Sequence, residues 1–315
     1  MTGSTRSLSR TDCGDEVRSI SGVPGTRRRP LAAIAKAARP HQWVKNLLVF
    51  VPIAAAHTIL RLDLLITSTV TFVVFSLSAS AIYILNDISD IQSDRQHPRK
   101  RNRPFAAGDL SVPFGTILAI GLLGLALGVS TFVSWRLVLV VGIYIAVASG
   151  YSLVLKRRPV VDVFTLTSLY ILRIVAGGVS TGTPLSSWLL AFALFFFLSL
   201  AFVKRYTELL TTDGSIASRG YRRDDSLWMH AIGTSAGYMA VLVLALYVTS
   251  PDTAGLYSRP QIVWLLCPLL LFWLTRLWFR AGRGLVDDDP VLDALKDSAS
   301  YATAAVAFGI IVAAF

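Results

Sequence analysis

The sequence predicts an all-α, polytopic membrane bundle of about nine transmembrane helices, and three observations carry that prediction. Of 315 residues, 54% are hydrophobic, and the mean hydropathy of +0.59 is far above that of a soluble domain of this size. Apolar stretches of roughly spanning length, about 20 residues, recur near 44–60, 64–88, 113–134, 137–155, 160–180, 186–204, 229–249, 260–279 and 298–315. The basic residues are also sorted by side. With the N-terminus cytoplasmic, every Lys and Arg except Arg61, Arg136, Arg173 and Arg259 falls at a cytoplasmic end or loop, as the positive-inside rule requires. Only helices or closed barrels satisfy their backbone in lipid, so these runs read as helices. The expected location is the cytoplasmic (inner) membrane, with the C-terminus outside.

Residues 1–29 are rich in Ser, Thr, Gly and Arg and lack an apolar core. They read as a disordered basic tail, neither a signal peptide nor a packed unit, ahead of one membrane domain over 30–315. Pro30 and Pro40 bracket an amphipathic piece, Leu31 to Arg39, suited to lie along the interface. Cys13 and Cys267 have no disulfide or metal pattern, and His41, His57, His97 and His230 are scattered. The net charge of +11 is accounted for by topology and phosphate affinity, without nucleic acid.

The stretch from Tyr83 to Pro104 follows the second apolar run and is the richest in chemistry. Asp87, Asp90 and Asp94 sit at i, i+3 and i+7, one face of a continuing helix. Three carboxylates on one stripe repel unless a cation sits among them, and hard divalent ions such as Mg²⁺ take such oxygens together with a substrate's phosphates. Arg95, His97, Arg99, Lys100, Arg101 and Arg103 then follow. Carboxylates for a metal beside cations for phosphate suggest a site that handles a diphosphate. The competing reading is a solvated cytoplasmic loop whose cations set topology. Against it, acids at helical spacing on a membrane boundary are expensive without a partner.

Further along, Trp43, Lys45 and Asn46 open the first run; Lys45 reads either as a snorkelling charge or as a phosphate contact beside Asn46. Tyr151 and Lys156 close the fourth run, and Asp162 enters the fifth, where an unpaired carboxylate is costly. Arg173 lies eleven residues after Asp162, nearly on the same face and about 16 Å further along the axis. It reads as a cavity residue or as a structural clamp. Gly177 and Gly178 permit close helix packing, within the bundle or in a homo-oligomer. Lys204, Arg205 and Glu208 close the sixth run, at the topological position matching the 83–104 stretch, which suggests two polar lips facing one cavity. The run Asp287 to Pro290 reads as a solvated loop.

The pattern Asn86-Asp87-x-x-Asp90-x-x-x-Asp94 after the second span, then Arg103-Pro104, resembles the UbiA superfamily of membrane prenyltransferases over roughly residues 31–315. The resemblance implies a helical bundle with a central cavity, a polar cytoplasmic cap, and Mg²⁺ held by Asp87, Asp90 and Asp94 with Asn86 in support. Typical members carry a second motif, Asp-x-x-x-Asp, after the sixth span; here Lys204-Arg205-Tyr206-x-Glu208 stands in its place. With His97-Pro98-x-Lys100-x-x-Arg103-Pro104 and Gln42-Trp43-x-Lys45-Asn46, the chain is most similar to the branch that transfers phosphoribose to decaprenyl phosphate in arabinan synthesis. That branch implies a membrane-embedded pentosyltransferase taking phosphoribosyl pyrophosphate and a polyprenyl phosphate. Lys100, Arg103, Tyr151 and Lys156 would then steady the pyrophosphate, and Lys204 and Arg205 a further phosphate, with Asp162 and Arg173 in the cavity. An aromatic prenyltransferase using a prenyl diphosphate is the nearest alternative, and a transporter is a more distant one. Transport sites lie near the midplane, whereas these polar groups crowd one rim.

Overall fold

The structure, a computed structural model, describes residues 30–96, 100–211, 215–216, 219–250, 256–287 and 289–314. The 1–29 tail, His97 to Arg99 and residues 212–214 and 217–218 lie outside these. Helix α1 (Pro30–Ala38) is followed by a 3₁₀ helix (Pro40–Phe50) and α2 (Val51–Ala55). Then come α3 (Leu62–Ser89), α4 (Ile91–Gln96), α5 (Pro104–Ala107), α6 (Val112–Val133), α7 (Trp135–Leu153), α8 (Val161–Thr181) and α9 (Ser187–Thr211). A hairpin of β1 (Ser215–Ile216) and β2 (Tyr221–Arg222) leads to α10 (Asp225–Val248), α11 (Pro260–Val263), α12 (Leu266–Gly282), α13 (Pro290–Ala294) and α14 (Ser298–Ala314).

Among the described residues, seven helices are long and apolar enough to cross a membrane: α3, α6, α7, α8, α9, α10 and the α11–α12 segment. The expectation of about nine is met for those seven. The run expected at 44–60 divides into the end of the 3₁₀ helix, the short α2 and a turn, and α14 is apolar but only 17 residues long.

The local reasons are legible. Ser134 ends α6 and caps α7, its Oγ accepting from Leu137 N at 3.1 Å, so two spans meet with one residue between them. Three hydroxyls buried within α3 are satisfied by their own helix: Thr71, Ser76 and Ser78 each donate to the carbonyl four residues back, at 2.8–2.9 Å. Three residues per turn in the 3₁₀ helix align Trp43, Asn46 and Val49 on one face. Trp43 Nε1 donates to Ser80 Oγ and Asn46 Nδ2 to Ser76 Oγ, both at 3.0 Å. Val49 meets α8 at Gly177, where a Cβ would lie 2.0 Å from the Val49 carbonyl oxygen. That approach requires glycine. Helix α1 packs on α3 through Ala33 and Ala37, as its amphipathic pattern implies.

Candidate active site

The continuing helix expected through Asp94 is interrupted. Helix α3 stops at Ser89 and Asp90 leaves helical geometry, although Asp90 N to Asn86 O (3.0 Å) and Asp94 N to Asp90 O (2.8 Å) bridge the break. The three carboxylates consequently divide. Asp87 and Asp94 are buried and share Arg103, whose Nη1 lies 3.1 and 2.7 Å from them. Asp87 also accepts from Arg39 Nη2 at 2.6 Å. Asp90 is more open; it accepts from Asn86 Nδ2 at 3.2 Å and faces Lys156 Nζ at 3.4 Å.

Among the described residues, no three acidic, His or Cys side chains are gathered closely enough to hold a metal alone. The one face expected on a continuing helix is divided by the break at Asp90. The donor chemistry still fits Mg²⁺. Two carboxylates converge on a single positive group, a third stands one helical turn from each, and phosphate oxygens or water usually complete such a shell.

A second cluster forms where α7 and α9 end and α8 begins. Arg205 is fully buried and donates to Asp162, Glu208 and Tyr151 Oη, the last at 2.5 Å. Tyr151 Oη in turn donates to Asp162 at 2.9 Å. Arg219, from the β1–β2 hairpin, reaches in to Glu208 (3.1 Å) and Tyr151 Oη (3.0 Å). Arg205, expected to contact a phosphate, therefore has its donors engaged within the protein. The Lys204 ammonium makes no hydrogen bond or ion pair among the described residues, and Lys204 lines the cavity.

That cavity measures about 200 Å³. Arg39, Lys45, Asn86, Tyr151, Lys204 and Arg219 line its polar part, so the two expected lips do face one space. Tyr83, Tyr170 and Arg173 line the remainder. Arg173 takes both of its expected roles: it borders the cavity and clamps the bundle, donating to Asn46 Oδ1 at 2.8 Å, Tyr144 Oη at 3.0 Å and the Leu169 carbonyl. Asp162 does not reach the cavity and stands behind Arg205. Lys100 is exposed and outside the lining.

Three contributors escaped the sequence reading. Arg39 is one; it lies directly before Pro40 with φ 51°, and only its place at the end of an amphipathic helix hinted at a rim position. Arg219 carried no signal. Asp289, expected in a solvated loop, is buried and ion-paired with Lys45. Burial pushes its carboxyl up, but Lys45 and Lys204 outweigh that and hold it below its ordinary value. The Asp-Pro pair did mark a helix start, since Asp289 Oδ1 accepts from Val291 N at 3.2 Å and caps α13.

A bundle of apolar, membrane-length helices that gathers cations around one cavity, with carboxylates paired behind them, defines the class: an integral-membrane protein with an anion-complementary cavity. Comparison with known proteins makes the class specific. Residues 46–292 match the UbiA prenyltransferase family. The chain is 34% identical over 299 residues to the uncharacterized protein y4nM of Sinorhizobium fredii, covering 92% of this chain and 57% of that one. The chain thus spans a little over half of that relative's length. It is 33% identical over 301 residues to the decaprenyl-phosphate phosphoribosyltransferase of Mycolicibacterium smegmatis, covering 91% and 92% of the two chains. Its fold is similar to that of a UbiA homolog from Archaeoglobus fulgidus bound to DMAPP and Mg²⁺, with TM-score 0.66 at 16% identity, covering 89% of this chain and 99% of that one. The chain belongs to the UbiA prenyltransferase family and is a membrane transferase.

Proposed function

We propose that this transferase moves 5-phosphoribose from phosphoribosyl pyrophosphate to a polyprenyl phosphate such as decaprenyl phosphate, releasing pyrophosphate, as a step toward cell-wall arabinan. The observation that carries this reading is Lys204. Where the resemblance implies a second acidic, metal-holding motif, this chain places an unpaired ammonium in the cavity, with Lys45, Arg39 and Arg219 around it. More cations and one acidic cluster suit two phosphorylated substrates better than two acidic clusters do. The relatives named as decaprenyl-phosphate phosphoribosyltransferases support the same reading.

In this mechanism Asp87, Asp90 and Asp94 hold Mg²⁺, which when bound neutralises charge on the departing pyrophosphate. Arg103, Lys156 and Tyr151 steady that pyrophosphate, with Arg39 and Lys100 at the rim. Lys204, flanked by Lys45 and Arg219, takes the remaining phosphate. The ribose C1–oxygen bond breaks with its electron pair leaving on pyrophosphate. A phosphate oxygen of the lipid forms the new bond from the opposite face, inverting α to β. The acceptor is already anionic at neutral pH, so no base is needed, and the rate comes from positioning and charge stabilisation.

On this reading the lipid tail lies along the apolar flank of the bundle. Tyr170 stacks on Phe197 with centroids 4.7 Å apart, and Phe196 and Phe192 continue the row along α9. The row ends at an apolar cavity of about 370 Å³ beside Trp188.

On the same reading, residues 30–315 form one catalytic unit behind a basic tail, with nine crossings, the active rim cytoplasmic and the C-terminus outside. The 3₁₀ helix and α2 rise about 2.0 and 1.5 Å per residue, so together they cover about 30 Å, the thickness of the hydrocarbon core. The test is pyrophosphate release by purified protein in liposomes with Mg²⁺. Release that needs both phosphoribosyl pyrophosphate and a polyprenyl phosphate supports the assignment. Release from a prenyl diphosphate with an aromatic acceptor instead would move the chain to the aromatic prenyltransferases.

A further inference from the structure

Lys45 and Asp289 are far apart in the chain, yet their side chains are buried together at the cavity, each about one-tenth exposed. Asp289 is fixed from behind, because its Oδ1 accepts from the backbone of Val291 (3.2 Å) and Leu292 (3.5 Å) while its Oδ2 accepts from Lys45. Pro290, the next residue, lines the cavity together with Lys45 and Lys204. Lys204 feels the charge of both Lys45 and Asp289. One carboxylate is thus set against two ammonium groups, and it bonds only one of them. In a low-dielectric cavity that choice decides which ammonium an incoming anion meets unpaired.

We propose that Asp289 is a positioning residue: it holds Lys45 to itself, and so leaves Lys204 as the free ammonium that receives a phosphate monoester. This rests on the reading that the cavity binds phosphorylated substrates. Both substrates of the proposed reaction carry such a group, the 5-phosphate of the donor and the phosphate of the lipid. The arrangement also limits net positive charge. Two unpaired ammonium groups would grip an anion in the ground state without helping the transfer.

The account makes an unusual demand on double variants. Lys45→Met leaves Asp289 without its partner, and Lys204 becomes its nearest cation, so monoester affinity falls although Lys45 is not itself the ligand. Adding Asp289→Asn, which keeps an oxygen to cap α13, frees Lys204 again. The experiment is calorimetric titration of the purified full chain with ribose 5-phosphate and, separately, farnesyl phosphate. Lys204→Met and Lys45→Met should each weaken one of these by about tenfold or more, the loss of one charge-assisted contact. The Lys45→Met/Asp289→Asn pair should return to within about threefold of wild type. Which monoester responds tells whether this end of the cavity takes the sugar phosphate or the lipid phosphate. A double variant as weak as Lys45→Met would overturn the proposal, because Lys45 would then be the ligand. So would wild-type protein that binds neither compound. Should Lys45→Met fail to fold, Lys45→Gln, which still donates to Asp289, should bind the monoester within about threefold of wild type, and a loss as large as that of Lys204→Met would refute the idea. The expected pattern without any phosphoribosyl transfer would retain Asp289's role and discard the proposed reaction.

Discussion

Asp87 and Asp94 meet on one guanidinium: Arg103 Nη1 lies 3.1 Å from the first and 2.7 Å from the second. Seven residues separate them in sequence, two helical turns, and the break at Asp90 does not undo that alignment. It turns Asp90 toward Lys156 instead, so the three acids present two faces: a closed pair and a single open carboxylate.

Because Asp90 is the open one, Asp90→Asn should fold and extract like wild type while Mg²⁺-dependent turnover is lost. Thermal stability in detergent and turnover in liposomes, measured on the same preparation, check this. Unchanged activity would remove Asp90 from the metal site.

Lys204→Ala should weaken one phosphorylated substrate by more than about tenfold, since a free ammonium offers charge-assisted contacts worth roughly 1.5–3 kcal/mol. Its melting temperature should hardly move, because no bond among the described residues is lost. A KM at the wild-type value for both substrates would contradict this.

Arg205, one residue on, predicts the reverse. Arg205→Met takes from the fully buried Asp162 its bonded counter-charge and leaves Arg219, 3.7 Å away, as the remaining cation; breaking a buried pair of this kind costs about 3–5 kcal/mol. The expected result is protein that aggregates on gentle heating. A stable variant with altered substrate affinity would show that Arg205 binds phosphate after all.

Gly177→Ala should displace the 3₁₀ helix from α8, since the added methyl would sit 2.0 Å from the Val49 oxygen. Overpacking of this sort costs about 1–3 kcal/mol. Lys45 and Asn46 ride on the same helix, so a fall in melting temperature should come with a fall in turnover. Wild-type values of both would remove the constraint.

Arg276 and Ser300 hold Asp297 down to about 2, against about 4 for an unfolded carboxyl. A carboxyl depressed on folding stabilises the protein above its unfolded value, and that stability is lost as pH falls through the folded one. The stability gap between wild type and Asp297→Asn should therefore stay constant from pH 7 to 5 and shrink below about pH 4. Melting temperatures across that range test it, and a gap already closing between pH 7 and 5 would contradict it.

These cases also show what the sequence could reveal. Apolar length exposed the seven long spans, and helical spacing exposed the Asp87–Asp94 alignment, because both are local. Arg205 looked like a free cation because its main counter-charge, Asp162, lies 43 residues away on another span. Asp289 looked solvated for a similar reason. An acidic run beside proline describes a loop, and nothing nearby says that Lys45, 244 residues earlier, neutralises it. The 3₁₀ helix was hidden in another way. Read together with α2 it passes for one apolar run, and its contacts with Ser76, Ser80 and Gly177 come from α3 and α8, far along the chain.

The central claim is phosphoribosyl transfer, and the most direct test is to follow the sugar. Purified protein in liposomes with Mg²⁺ would receive phosphoribosyl pyrophosphate radiolabelled in the ribose, together with decaprenyl phosphate. The account predicts label moving into the organic phase, abolished by EDTA and by Asp90→Asn. Label that stays in the aqueous phase, while a prenyl diphosphate is consumed under the same conditions, would contradict it.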